Sequence, residues 1–311
     1  MDKRLSVGVD IGGSHITSAA IDLKDRKILN DTISEKPVDN KGSAEEIIRS
    51  WSEALSETIN KAGLDSIRGI GFAMPGPFDY VNGICLIKGV PKYENLYGTN
   101  IAEAITNSLK LPRDMPVRFM NDASSFAVGE AWAGEAAGSA RSMAITLGTG
   151  LGSAFIADNV PVVKGNNIPE LGCVYHIKLR DGIADDYFST RWFTRKFLEL
   201  TGMEAKGVRE VAEEAGNNVA VRSLFEDFGK SLSSFLAPYL IAFDAEVLVI
   251  GGNISRAYFL FADTFESGLR NNKCYTEVRT SVLMESAALL GSAYLLDKKF
   301  WTDVKDSLQF M

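Results

Sequence analysis

The chain has 311 residues, 46% apolar and 23% charged, which is an ordinary globular composition on a length that suggests two domains rather than one core. Its 33 basic and 40 acidic side chains leave a net charge of −7, a balance that argues against a nucleic-acid-binding surface. Cys85, Cys173 and Cys274 lie far apart without a C-x-x-C pair, and His15 and His176 are the only histidines; neither a disulfide framework, a zinc ribbon nor a His-rich metal site is indicated.

Residues 5–9 read as a strand, Gly12-Gly13 as a turn, 15–21 as a second strand and 27–34 as a third, an antiparallel meander. The first apolar stretch is interrupted by Asp10 and does not have the form of a signal peptide. Residues 44–62 predict an amphipathic helix, with Ile47, Trp51, Leu55 and Ile59 spaced four apart. A short buried strand at 69–74 runs into the turn Pro75-Gly76-Pro77. A helix at 100–109, a strand at 117–120 and a helix at 123–132 follow.

A similar order then recurs. Residues 143–147 and 153–157 read as strands around a glycine-rich turn, and 160–163 as an edge strand because of Pro161. The region 185–243 is largely helical with breaks near Gly202 and Gly216, 246–250 is a buried strand, and 255–269 and 284–296 are helices. The longest apolar run, 235–243, contains Pro238 and is too short to span a bilayer, so a cytoplasmic protein without membrane association is expected. The whole reads as a duplicated α/β architecture.

Three glycine turns punctuate this pattern. Asp10-Ile11-Gly12-Gly13-Ser14 lets backbone N–H groups approach an anion, with Ser14 adding a hydroxyl. Asp10 suits such a site only if Mg²⁺ or its water shell intervenes. A plain hairpin explains Gly12-Gly13 equally simply. Leu147-Gly148-Thr149-Gly150-Leu151-Gly152 has more glycines than a hairpin needs, and matches neither the dinucleotide fingerprint nor a P-loop. Gly251-Gly252-Asn253 follows a strand; it admits a ring or phosphate, or is a strand-to-helix connection capped by Asn253 or Ser255. Among the acids, Asp122 in Asn121-Asp122 stands where a strand meets a helix. That is the place of an N-cap, and also of the ligand crevice of α/β sheets. Glu170 lies in a Gly/Asn/Pro-rich loop, and Asp185-Asp186 at a helix start.

In this order the motifs resemble those of the ROK family of bacterial sugar kinases and sugar-responsive repressors, over nearly the whole chain. Asp10–Ser14 is similar to the first phosphate motif, and residues 72–79 around Gly76 to the proline-glycine sugar loop. Glu94-Asn95-Leu96 resembles the asparagine-leucine motif. Asn121-Asp122-Ala123 with Gly129-Glu130 resembles the catalytic segment, residues 147–152 the second phosphate motif, and residues 247–255 the adenosine-side strand and turn.

The resemblance implies the two-lobed actin-like ATPase (ribonuclease H-like) α/β fold with a central interdomain cleft. The expected lobes are 1–120 with 288–311, and 121–287. It implies ATP-dependent phosphorylation of a hexose, usually at the 6-hydroxyl, with Asp122 as general base. The sugar would be held by Gly76, Asn95, Asn121, Asp122, Glu170, Cys173 and Asp185. ATP would be held by Gly12, Gly13, Ser14, Thr149, Gly150, Gly251, Gly252 and Asn253, with Mg²⁺ on Asp10 through water.

Three departures mark this chain. Cys173 replaces the histidine of the Glu-x-Gly-His clamp, the cysteine-rich zinc loop is replaced by 180–184, and Asp185, or alternatively Asp186, stands for the following glutamate. No structural zinc is therefore expected. Glucose is the first-choice substrate; N-acetylglucosamine, N-acetylmannosamine or a catalytically weak sugar sensor are the alternatives. The family's repressors carry a helix-turn-helix before the first phosphate motif, which starts here at Asp10, so DNA binding is not expected. A homodimer is.

Overall fold

The computed structural model describes residues 4–90 and 92–311. β1 (Leu5–Ile11), β2 (His15–Asp22) and β3 (Lys27–Ile28) form the expected meander. The third strand ends early: a 3₁₀ turn at Asn30–Thr32 buries Thr32, whose Oγ1 accepts the Ala20 N–H, and β4 (Ser34–Pro37) then pairs with β2 as a separate strand. α1 (Ala44–Ala62) opens on a capping box, with Ser43 Oγ accepting the Glu46 N–H and Glu46 Oε2 accepting the Ser43 N–H. It buries the predicted stripe Ile47, Trp51, Leu55 and Ile59 and stops at Gly63 (φ 80°). β5 (Ile67–Met74) is followed by a small hairpin, β6 (Phe78–Asp79) with β7 (Ile84–Cys85). Then come α2 (Ile101–Leu109), β8 (Val117–Asn121) and α3 (Asp122–Ala133). The sheet order is β3-β2-β1-β5-β8, with β1, β5 and β8 parallel.

The chain end returns to this unit as α9 (Ser286–Tyr294) and α10 (Lys298–Val304). The chain divides at 133/134 and 284/285, whereas the sequence pattern placed the divisions at 120/121 and 287/288. The difference is mainly α3, which packs along α9 and stays with the first unit.

The second unit, Gly134–Met284, repeats the topology. β9 (Arg141–Leu147) and β10 (Leu151–Ala157) form a hairpin extended by β11 (Val160–Pro161), shorter than the edge strand predicted. A two-stranded hairpin, β12 (Lys178–Leu179) with β13 (Gly182–Ile183), occupies the segment around 180–184 that lacks cysteines. Helices α4 (Ala184–Tyr187), α5 (Thr190–Thr201), α6 (Val208–Ala215) and α7 (Val219–Phe243) follow, with the expected break at Gly202 (φ 72°). β14 (Val247–Gly251) and β15 (Glu277–Thr280) complete the order β11-β10-β9-β14-β15, with β9, β14 and β15 parallel. Between them, the single helix expected at 255–269 is a 3₁₀ segment, Asn253–Leu260, and then α8 (Ala262–Asn271). The break falls at Phe261, which leaves helical geometry (φ −129°) and buries its ring in the core. Among the described residues no helix is long and apolar enough to cross a membrane.

Close backbone approach holds the first unit together. A Cβ on Gly71 of β5 would lie 1.9 Å from the Ser292 carbonyl oxygen of α9, and one on Gly129 of α3 would lie 1.9 Å from that of Ala287. Neither partner is a flexible side chain, so neither can give way cheaply. Alanine in a helix is intrinsically favoured over glycine by about 1 kcal/mol, and overpacking costs about 1–3 kcal/mol; at this separation the clash dominates. Gly129→Ala is therefore expected to lower the unfolding free energy by about 2 kcal/mol, read from the urea midpoint. An unchanged or raised midpoint would contradict the packing described.

Candidate active site

In the first unit the turn between β1 and β2 is tied back by its carbonyls. The Gly12 carbonyl accepts Tyr93 Oη–H at 2.7 Å, that of Ser14 accepts the Val38 N–H at 2.8 Å, and that of Gly13 accepts the Asn40 amide. The Gly12 N–H closes the turn on the His15 carbonyl at 3.0 Å. The N–H groups of Gly13 and Ser14 have no hydrogen bond among the described residues. A turn with its oxygens held back and two successive amides open is an anion cradle.

Asp10 ends β1 beside this turn. Burial, and then the neighbouring carboxylates of Asp122 and Glu285, push its pKa up to about 7; Lys92 opposes the rise. Lys92 Nζ lies 3.8 Å from where a Cβ of Gly13 would be, and 5.7 Å from the centroid of the Tyr93 ring.

Asp122 is the first residue of α3, but Asn121 does the capping: its Oδ1 accepts the Ser124 N–H at 3.1 Å. Asp122 uses Oδ1 for the Ala123 N–H at 2.8 Å and the Asn121 amide at 3.0 Å. Its Oδ2 has no hydrogen bond among the described residues. The Asn121 amide also reaches Tyr80 Oη at 3.3 Å, and Tyr80 donates to the Met74 carbonyl at 3.0 Å. Tyr80 Oη lies 3.2 Å from a Cβ position on Gly76. The proline-glycine loop is thus joined to the acid. Asn95 is positioned differently from the expectation: its amide donates to the Lys41 and Gly42 carbonyls at 3.0 and 2.8 Å, bracing two loops and leaving only Oδ1 for a ligand.

In the second unit, the turn Gly148–Gly150 has the same character. The Gly148 N–H bonds the Gly150 carbonyl at 3.0 Å, while the Gly148 carbonyl accepts the N–H and Oγ1–H of Thr190 at 2.8 and 2.9 Å. The Thr149 and Gly150 N–H groups have no partner among the described residues, and Thr149 is exposed. Asp185 braces this turn: Oδ1 accepts the Leu151 N–H at 2.6 Å and Oδ2 pairs with Arg191 at 2.6 Å. Both oxygens of Asp185 thus have partners within the protein. Asp186 closes the start of α4 by accepting the Ile183 N–H.

Glu170 is exposed, and the next two residues both take left-handed backbone, Leu171 at φ 62° and Gly172 at φ 62°. A Cβ on Gly172 would lie 2.6 Å from the Val162 carbonyl oxygen, so glycine is required there. Cys173 is half-buried; burial pushes its thiol up to about 11. Its Sγ lies 3.7 Å from His176 Nδ1, which brings a histidine back to the clamp from three residues downstream. Gly252 (φ 79°) packs against the backbone of Leu147, with a Cβ position 2.5 Å from its oxygen, and so sets the second turn rather than a ligand. Asn253 is exposed beside a cavity of about 860 Å³ lined by Thr190, Lys206, Val208, Arg256 and the exposed ring of Phe259. Among the described residues no group of three or more His, Cys, Asp or Glu converges as a metal cage. Mg²⁺ needs only one or two carboxylates when phosphate oxygens and water supply the rest, and the crowded acids around Asp10 fit a cation arriving with a nucleotide.

Sequence reasoning missed Lys92, Tyr93, Tyr80, Glu285, Arg191 and the cavity residues. Lys92-Tyr93 directly precedes the quoted Glu94-Asn95-Leu96, and that adjacency was the one available signal.

Two sheets of one topology, each opening on a hairpin whose turn leaves two amides open, define the actin-like ATPase fold. The sequence matches the ROK family over residues 6–299, and the chain belongs to that family. Glucokinase of Thermotoga maritima is 26% identical, covering 96% of this chain and 99% of that protein. N-acetyl-D-glucosamine kinase of Vibrio parahaemolyticus is 25% identical, covering 82% and 86%. A ROK family glucokinase from Streptomyces griseus, solved with glucose and AMPPNP, superposes with a TM-score of 0.73 at 22% identity, covering 94% and 98%.

The raised pKa of Asp10 has a stability consequence. The folded state holds its proton up to about pH 7, the unfolded state only to about pH 3.8. Folding stability therefore falls as pH rises between these values, and the penalty stays constant above them. Asp10→Asn is expected to raise the melting temperature of the ligand-free protein at pH 8, on the order of 5 °C, and to leave it nearly unchanged at pH 4. Equal melting of variant and wild type at pH 8 would reject the electrostatic account.

Proposed function

We propose that this chain transfers the terminal phosphoryl group of ATP to the 6-hydroxyl of a hexose, with glucose as first acceptor. At the coarser level it is a sugar kinase, a phosphotransferase with an alcohol acceptor. The observation that supports the finer reading is Asp122: Asn121 has taken the capping role, and Asp122 Oδ2 is left open at the start of α3.

Asp122 Oδ2 accepts the proton of the attacking hydroxyl, while Oδ1 stays fixed by the Ala123 N–H and the Asn121 amide. Asn121, Tyr80 and the loop at Gly76 set the position of the sugar, and Glu170 and Cys173 contribute from the clamp segment. The turns at 12–14 and 148–150 each offer a pair of open amides to phosphate oxygens. The cavity beside Asn253 and Phe259 takes the adenosine. Asp10 would hold Mg²⁺ through water, and that ion would supply charge neutralisation on the phosphates.

A second acceptor class, the N-acetylhexosamines, is supported by the relatives, several of which are N-acetyl-D-glucosamine kinases.

Asp122→Asn keeps an oxygen for the Ala123 N–H, so it is expected to fold as wild type and to lose about 10²–10⁴-fold in kcat. A coupled ADP-release assay with Mg-ATP and a panel of hexoses and N-acetylhexosamines reads both the loss and the acceptor. Near-normal turnover in the variant would remove Asp122 as base; no sugar-dependent turnover in wild type would remove the kinase reading.

A further inference from the structure

We infer that Lys92 is a catalytic residue that grips the phosphoryl group in transfer, together with the open N–H groups of Gly13 and Ser14; this rests on the kinase reading above. The lysine comes from the loop before the 3₁₀ turn Glu94–Leu96. Its ammonium stands over the turn, 3.8 Å from a Cβ position on Gly13, and is half-buried. It has no ion pair or hydrogen bond among the described residues, and it stands 5.7 Å from the centroid of the Tyr93 ring. Tyr93 also holds the Gly12 carbonyl at 2.7 Å. One dipeptide thus turns a carbonyl away from the cradle and brings a cation to it.

Charge makes the same case. Asp10, Asp122 and Glu285 crowd the region, and Lys92 is the cation that opposes them at Asp10. A transferring phosphoryl group spreads negative charge over its equatorial oxygens. Bringing that charge toward three carboxylates is unfavourable without a cation on the protein side, and a lysine ammonium serves as a point charge with three donors. A purely structural lysine would be paired with one of these acids; this one is not.

The test separates the terminal phosphate from the rest of the nucleotide. Calorimetric affinities for Mg-ADP and for the β,γ-imido analogue of Mg-ATP are measured for wild type, Lys92→Met and Lys92→Arg, alongside kcat and the sugar KM. In Lys92→Met the analogue is expected to weaken on the order of 10-fold or more, ADP by no more than about 2-fold, and kcat to fall on the order of 10²-fold. The sugar KM stays near wild type, and Lys92→Arg recovers part of both losses. Equal weakening of ADP and analogue, or no change in either, would overturn the assignment while leaving the kinase reading standing. Wild type that binds neither nucleotide would overturn both, so the two failures are distinguishable.

Discussion

The first unit depends on how closely the backbone of α9 approaches its neighbours. Carbonyl oxygens of α9 lie where side chains of Gly8, Gly71 and Gly129 would have to be, and the Val9 N–H of β1 donates to Ser292 Oγ at 3.2 Å. One helix is thereby locked to β1, β5 and α3 at once. Asp10 lies two residues beyond Gly8, Asp122 begins the helix that carries Gly129, and Glu285 immediately precedes α9. The charges of Asp122 and Glu285 therefore reach Asp10 because the glycines let the backbones meet. The like-charge crowding at Asp10 is a consequence of packing far from it, and the packing energy is what sustains a group held so far above its ordinary pKa.

This explains what was legible in the sequence. Local turns and periodicities could be read because their causes are local: the stripe on α1, the breaks at Gly63 and Gly202, the glycine hairpins, and the Asn-Asp segment at a strand-to-helix junction. The dual reading of Asp122 as cap or base could not be resolved from residue types. Its capping half is answered by the bond from the Ser124 N–H to Asn121 Oδ1, a question of which neighbouring side chain reaches the helix amides. Lys92 had only its adjacency to Glu94-Asn95-Leu96 as a signal, and nothing near Glu285 in sequence signals a site. They enter through loop and helix placement, the latter across more than 270 residues from Asp10.

Asp185 illustrates the converse. A shorter acid at a position expected to face sugar suggested a weakened clamp. The carboxylate instead caps the Leu151 N–H and pairs with Arg191, and a Cβ on Gly150 would lie 2.7 Å from Oδ1. The aspartate is short enough to lie flat on the glycine turn, and the glycine is required for it to do so. In this chain the shorter acid fastens the Gly148–Gly150 turn to the start of α5.

The clamp segment combines a constraint with a substitution. Gly172 is confined by the Val162 backbone and Leu171 is held at positive φ, a conformation of limited stability for leucine, so the backbone that presents Glu170 and Cys173 is fixed by packing rather than by the identity of residue 173. A half-buried, protonated thiol can therefore occupy that position without disturbing the loop, and His176 Nδ1 lies close enough at 3.7 Å to bring an imidazole to the same neighbourhood. On the proposed reading, substrate choice could change by one side chain while the open amides, Asp122 and the cradle at Gly13 stay untouched. That reading puts the chemistry on packed strand ends and helix starts, and the acceptor preference on a loop whose backbone is held but whose side chains are replaceable.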